Sequence, residues 1–370
     1  MATTVNVPAG SGNTDQRDAF VGRLFEQLLG AMDVFAIYLG QRLGFYGKLA
    51  AGGPATSSEL AERAGTNERY TREWLEQQAA SGILEVDDPA KDAQQRRFHI
   101  SPAHAEVLTD ADSLNYLAPL ASAFAALARK TDRLVEVYRT GEGVSWGEFG
   151  AEMRESQAAG NRPFFLHQLG QEVLAAITEI DERLRADPQA RVADIACGGG
   201  WSTIAVAKRY PKVRVDGFDL DTPSIELART NLRGSGVEDR VQFEVRDAAD
   251  PGLSGRYDLV LIVEALHDMS QPVEALRAAR RLLADGGSVV VIDERAAEKF
   301  AAPGDDLDRF FYGFSLLCCL PDGMSRQPSA ATGTVMRPET LRRYAAAAGF
   351  REVVVLPMEP SFFRVYRLMP

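Results

Sequence analysis

The stretch Arg191-Val192-Ala193-Asp194-Ile195-Ala196-Cys197-Gly198-Gly199-Gly200-Trp201 decides the fold. It starts as a short apolar run over Arg191–Ala196, turns through three glycines, and enters a helical pattern at Trp201-Ser202-Thr203. Strand, glycine turn and helix open a βαβ unit. Glycines there let a ligand approach the backbone closely, and the helix N-terminus offers unpaired N–H groups to a carboxylate or phosphate. A glycine run alone is weak evidence, but two acids strengthen it. Asp219 follows Gly200 by 19 residues at the end of the next predicted strand, where a carboxylate accepts both hydroxyls of a ribose. Asp247-Ala248 follows the third strand, in a position to pair with the amino group of adenine.

Working downstream, short β-branched runs alternate with helical stretches, the pattern of a parallel sheet. Strands are expected at Val213–Phe218, Val241–Val245, Tyr257–Val263 and Ser288–Asp293, with Glu352–Leu356 and Phe362–Leu368 closing the chain as a hairpin. With Arg191–Ala196 this makes a seven-stranded α/β sheet. The spacing from Gly200 to Asp219 also fits an NAD site. Three features argue against NAD: no second dinucleotide-binding half, the hairpin ending, and an acid where an adenine edge would lie.

Working upstream, nearly everything is helical. Residues 1–14 are small and polar and read as a disordered tail with no signal-peptide pattern. A helix is expected from Asp15 to Ala50, with Phe20, Leu24, Leu28, Phe35, Leu39 and Leu43 on one apolar face, against a core or a second subunit. Thr56 and Glu59 have the spacing of a capping box. Helices at Ser58–Ala64 and Asn67–Ala80, then strands at 83–86 and 97–100, give a winged-helix pattern. The expected domains are thus a tail over 1–14, a winged-helix-like dimerisation domain over 15–110, a helical linker or substrate cap over 111–187, and the sheet domain over 188–370.

Composition narrows the function classes. The 370 residues carry a formal net charge of -11, with 45% hydrophobic and 25% charged residues. An acidic chain repels nucleic acid and anionic lipid, so neither is an expected partner. Between Ala55 and Asp88 the winged-helix segment holds three basic residues and eight acidic ones, a poor surface for phosphate. Cys197, Cys318 and Cys319 read as free thiols in a reducing, cytoplasmic setting. The apolar run near Val34–Leu39 is too short to span a membrane.

The order Asp194-x-Ala196-Cys197-Gly198-x-Gly200, then Asp219, Asp247, Tyr257-Asp258-Leu259-Val260 and Leu283-Ala284-Asp285-Gly286-Gly287 resembles the class I S-adenosylmethionine-dependent methyltransferases. The resemblance covers about the last 180 residues. It implies a Rossmann-like fold and S-adenosyl-L-methionine as cofactor, held by Asp194, Ala196, Gly198, Gly200, Asp219, Leu220, Asp247, Ala248 and Glu264. Ala196 stands where the family more often has glycine, which is harmless if that residue keeps a negative φ.

Ligands in parallel sheets sit at the carboxyl ends of strands, which places Glu264-Ala265-Leu266-His267-Asp268-Met269 near the methyl donor. This segment resembles the His-Asp-Trp motif of plant-type and antibiotic-pathway O-methyltransferases, with Met269 in place of Trp. Those enzymes also carry a winged-helix dimerisation domain. The resemblance implies His267 as the base that deprotonates a phenol or enol, and an imidazole near pKa 6.5 suits that task. Asp268 orients the ring or caps the next helix. Phe164 and His167, and Phe311 and Tyr312 from the aromatic insert 295–337, are candidates to touch a small acceptor. No spacing indicates a metal site. The expected protein is a methyltransferase acting on an aromatic or polyketide-like acceptor, most simply at oxygen, as a homodimer. Two other classes stay open: a winged-helix regulator that senses the cofactor, and a methyltransferase fold with non-methylating chemistry.

Overall fold

A computed structural model describes residues 11–360 and 362–370, with side chains in the first helix from Thr14 onward. The expected tail therefore lies outside the described residues up to position 10, and the rest of it is corrected: Ser11 already begins a helix. The chain divides into two units at Asp110/Ala111. No helix among the described residues is long and apolar enough to cross a membrane.

The first unit opens with the helix Ser11–Arg42. The single helix expected to Ala50 is interrupted at Gly44, whose φ of +69° is left-handed, and resumes as Phe45–Gly52. Thr56 and Glu59 form the capping box: each side chain accepts the other's backbone N–H, at 3.3 and 2.9 Å. The helix Ser57–Ala64 follows, then Glu68–Ala80 capped by Asn67. Strands β1 (Glu85–Val86) and β2 (Phe98–His99) form an antiparallel wing shorter than the sequence led us to expect. Phe45, Leu60, Trp74, Leu75 and Phe98 make a small core, with the Phe45 and Trp74 rings 4.7 Å apart.

The second unit is built on a seven-stranded sheet. Its strands are β3 (Arg191–Ile195), β4 (Arg214–Asp219), β5 (Val241–Val245), β6 (Tyr257–Val263), β7 (Leu283–Glu294), β8 (Glu352–Val355) and β9 (Phe363–Met369). Their order is β5-β4-β3-β6-β7-β9-β8, parallel except for β9, which runs antiparallel to its neighbours β7 and β8. The interior strands are apolar nearly throughout because helices cover both faces. The strand order reverses between β3 and β6, and that reversal opens a crevice at their carboxyl ends. β7 starts five residues before the expected Ser288. Gly287 permits this: a Cβ there would stand 2.8 Å from the Tyr257 carbonyl of β6.

The helices of 111–187 belong to the same unit as the sheet. Helix Ala118–Ala128 packs on helix Ala151–Phe164, which leads into a π-helical segment, Phe165–Val173. The insert after β7 is also helical, Asp306–Phe314, with a second π-helical segment at Ser315–Cys319.

Candidate active site

β3 ends at Ile195 because the next residue turns. Ala196 has φ +57°, so the condition under which an alanine there costs nothing, a negative φ, is not met. Glu264, the first residue after β6, has φ +51°. Two non-glycine residues in left-handed backbone thus sit at the ends of neighbouring central strands, at a cost of about 1–3 kcal/mol each. Such strain collects where a ligand site needs its side chains aimed.

The glycine turn is packed from behind. A Cβ on Gly199 would lie 2.7 Å from Ala158, and one on Gly200 would lie 2.5 Å from Phe243. Gly198 differs: its Cβ position meets nothing within 4 Å and faces open space. The Gly198 N–H donates to Asp219 Oδ2 at 2.8 Å, and Asp221 N–H donates to Asp219 Oδ1 at 2.8 Å. These bonds fix the Asp219 carboxylate at the tip of β4. Burial raises its pKa, partly offset by the two N–H donors.

A cavity of about 610 Å³ runs from this turn to the end of β6 and β7. Ala196, Gly198, Asp219, Leu220, Asp247, Ala248, Glu264 and His267 all line it, as do Phe164 and Phe311. Asp247 accepts the Ala249 N–H and pairs with Arg326 at 3.1 Å. Glu264 receives Gln157 Nε2 at 2.9 Å and Asn161 Nδ2. Burial lifts the Glu264 pKa to about 7, with His267 and the two amides pulling the other way.

Four expected site residues are placed elsewhere, and the first is Gly200, which packs against Phe243 and Ala228 and does not line the cavity. Asp194 is buried behind the turn and does not line the cavity. Its Oδ2 accepts Ser202 Oγ and Thr203 Oγ1, both at 2.6 Å, which anchors the helix Trp201–Arg209. His167 is exposed on the outer side of the π-helical segment. Tyr312 is 40% exposed and faces away from the cavity that its neighbour Phe311 lines.

His267 is 1% exposed and sits in a nest of carboxylates. Nδ1 is 2.8 Å from Asp293 Oδ1 and 2.9 Å from Glu294 Oε2, while Nε2 is 3.2 Å from Asp268 Oδ1. Burial opposes the charged ring, but Asp268, Glu294 and Asp293 outweigh it and hold its pKa well above 6.5. Burial also pushes Glu294 well above the usual carboxylate range, whereas His267 keeps Asp293 low. Asp293 is therefore the carboxylate that accepts from Nδ1–H, and Nε2 faces Asp268. Spacing along the chain gave no sign of a donor cluster, yet His267 with Asp293 and Glu294, and His267 with Asp268 and Cys319, bring ligand-type atoms within 4.8 Å of one another. The Nδ1 separations are those of direct N–H···O pairing.

Sequence reasoning missed Asp293, Glu294, Gln157, Asn161 and Asp322. The first two end β7, so the strand-end rule that selected His267 also points to them. The others come from helices with no motif of their own.

Residues 192–287 match a family model described as a methyltransferase domain, and residues 31–110 match one described as an Rv2258c-like winged HTH domain. Norajmaline N-methyltransferase of Rauvolfia serpentina is 32% identical over 127 residues, 32% of this chain and 43% of that protein. Ajmaline N-methyltransferase from the same plant is 27% identical over 176 residues, 45% of this chain and 59% of that one. The chain thus spans about half the length of these curated relatives. Among solved structures, mitomycin 7-O-methyltransferase aligns with a TM-score of 0.69 at 24% identity, over 96% of this chain and 99% of that one. Human N-acetylserotonin methyltransferase, in complex with SAM, gives 0.63 at 18%, over 99% of both. The chain joins a class I methyltransferase fold to a winged-helix domain.

Proposed function

We propose, from a methyltransferase domain joined to a winged-helix domain, that this protein is an S-adenosylmethionine-dependent methyltransferase acting on a hydroxyl oxygen of a small aromatic or polyketide-like acceptor. One observation carries the reading: a single cavity contains both the Gly198–Asp219 cradle and the buried His267. Its volume of about 610 Å³ is in the range of cofactor and ligand sites.

The residues present fit the cofactor. Gly198 leaves its Cβ space open, Asp219 offers a fixed carboxylate to ribose hydroxyls, and Asp247 with Ala248 lies where adenine would be read. Glu264, steadied by Gln157 and Asn161, is suited to the ammonium of the methionine part. Asp194 serves from behind by fixing the helix that follows the turn. The bound cofactor supplies a methyl group on a sulfonium, which leaves as a neutral thioether. His267 Nε2 takes the proton from the acceptor O–H as the O–CH3 bond forms, and Asp293 holds the ring by its Nδ1–H. Asp268 and Asp293 make the imidazole a stronger base by stabilising the imidazolium that results. Phe164 and Phe311 supply apolar wall for the acceptor. Incubation of the protein with methyl-labelled S-adenosylmethionine and a panel of phenols, thiols and amines tests this. Label on phenolic oxygen supports the reading, and label confined to nitrogen or sulfur refutes the oxygen assignment.

We also read the protein as a cytoplasmic homodimer formed through the first helix. At 32 residues that helix is about 48 Å long, and it exposes Phe20, Phe25, Leu28, Met32 and Leu39, each more than half accessible.

A further inference from the structure

The carboxylates lining the cavity are unevenly matched. Asp221 binds Arg154, with Nη2 3.0 Å from Oδ1, and Asp247 binds Arg326. Asp219 is served by backbone N–H groups and Glu264 by two side-chain amides. At the other end, Asp268 and Glu294 lie beside the His267 imidazole, Asp322 feels the charge of Asp268, and Arg326, whose charge reaches Asp322, is bonded to Asp247 instead.

Asp268 and Asp322 come from different elements, the turn after β6 and the insert helix Leu320–Met324. The two loops touch: a Cβ on Gly323 would lie 3.2 Å from the Asp268 carbonyl oxygen. Asp322 Oδ1 accepts the Trp146 N–H at 2.7 Å, and the Trp146 side chain lines the same cavity. Burial and Asp268 raise the Asp322 pKa to about 7. A second, independent feature points to a ligand. Thr334 is 2% exposed and lines this cavity, yet its Oγ1 has no hydrogen-bond partner among the described residues. Buried polar groups are rarely left without partners unless a ligand or water supplies them.

We propose that Asp322 and Asp268, with the face of Trp146, form a subsite for a protonated amine on the acceptor. This rests on the methyltransferase reading and names its substrate class: an apolar, aromatic-sized molecule bearing an ammonium group as well as the nucleophile. Two carboxylates supply charge-assisted hydrogen bonds, and an indole face attracts a cation. The ammonium is a recognition group, since a protonated nitrogen has no lone pair for a methyl. It also helps the chemistry. A cation beside Asp268 and Asp322 opposes the positive charge on His267 and so releases the ring to act as base.

The test uses the full-length protein saturated with S-adenosylhomocysteine at pH 7.5. Tryptamine, the neutral alcohol 3-indoleethanol and the anion indole-3-propionate are titrated by calorimetry. Tryptamine is expected to bind at least tenfold more tightly than the alcohol, with the anion weakest. Asp322→Asn should abolish that preference, Asp322→Glu should retain most of it, and S-adenosylhomocysteine affinity should be unchanged in both, which reports intact folding. Equal affinity for amine and alcohol, no measurable binding of the amine, or a preference that survives Asp322→Asn overturns the subsite. Failure of the wild-type protein to bind S-adenosylhomocysteine would instead strike the methyltransferase reading.

Discussion

At the scale of single residues, His267 and Asp219 carry separable roles. His267→Ala should leave S-adenosylhomocysteine affinity within about twofold and lower turnover by ~10²–10⁴, the usual worth of a positioned base. Near wild-type turnover would remove His267 from the chemistry. Its proton affinity is a second test. The neutral ring is the base, and the carboxylates around it keep the proton on, so the base form is populated only as pH rises through a value above 6.5. The His267 ring signal, followed by NMR, should therefore titrate above pH 6.5. In Asp268→Asn, which loses the largest source of that elevation, the transition should move to lower pH. No movement would contradict the electrostatic account. Asp219→Ala removes the proposed ribose acceptor and the bond from Gly198 N–H. Two charge-assisted hydrogen bonds correspond to roughly 3–4 kcal/mol, so calorimetry should show a loss of about 100-fold or more in S-adenosylhomocysteine affinity.

At the scale of elements, the turn after β3 is constrained by packing as well as by ligand approach. Gly200 has φ +77° and abuts Phe243 and Ala228. Gly200→Ala should cost roughly 2–4 kcal/mol, from backbone strain together with overpacking. Chemical denaturation measures this, and an unchanged midpoint would refute it. The strands were legible from sequence because β-branched runs bounded by turn residues leave little choice of conformation. Glu264 and His267 followed from the rule that ligands gather at strand ends, and Asp293 and Glu294 lay within that rule's reach. The π-helical segments Phe165–Val173 and Ser315–Cys319 had no such signature. They place Phe165, Cys318 and Cys319 on the cavity wall while His167 points outward, and helical periodicity assumes 3.6 residues per turn. Gln157, Asn161 and Asp322 come from ordinary amphipathic stretches, and only tertiary packing brings them to the site.

At the scale of the whole molecule, the first helix presents apolar surface that a monomer would leave in water. Leu24→Glu combined with Leu28→Glu should shift the protein from dimer to monomer in analytical ultracentrifugation, without loss of S-adenosylhomocysteine binding. A wild-type protein that sediments as a monomer at micromolar concentration would refute the dimer. The central claim concerns the cofactor, since a glycine turn and a strand-end acid serve NAD as readily. Calorimetric titration of the wild-type protein with S-adenosylhomocysteine and, separately, with NAD decides it most directly. The account predicts one S-adenosylhomocysteine per chain at micromolar or better affinity and no heat from NAD. Saturable NAD binding, or no binding of S-adenosylhomocysteine, would contradict it.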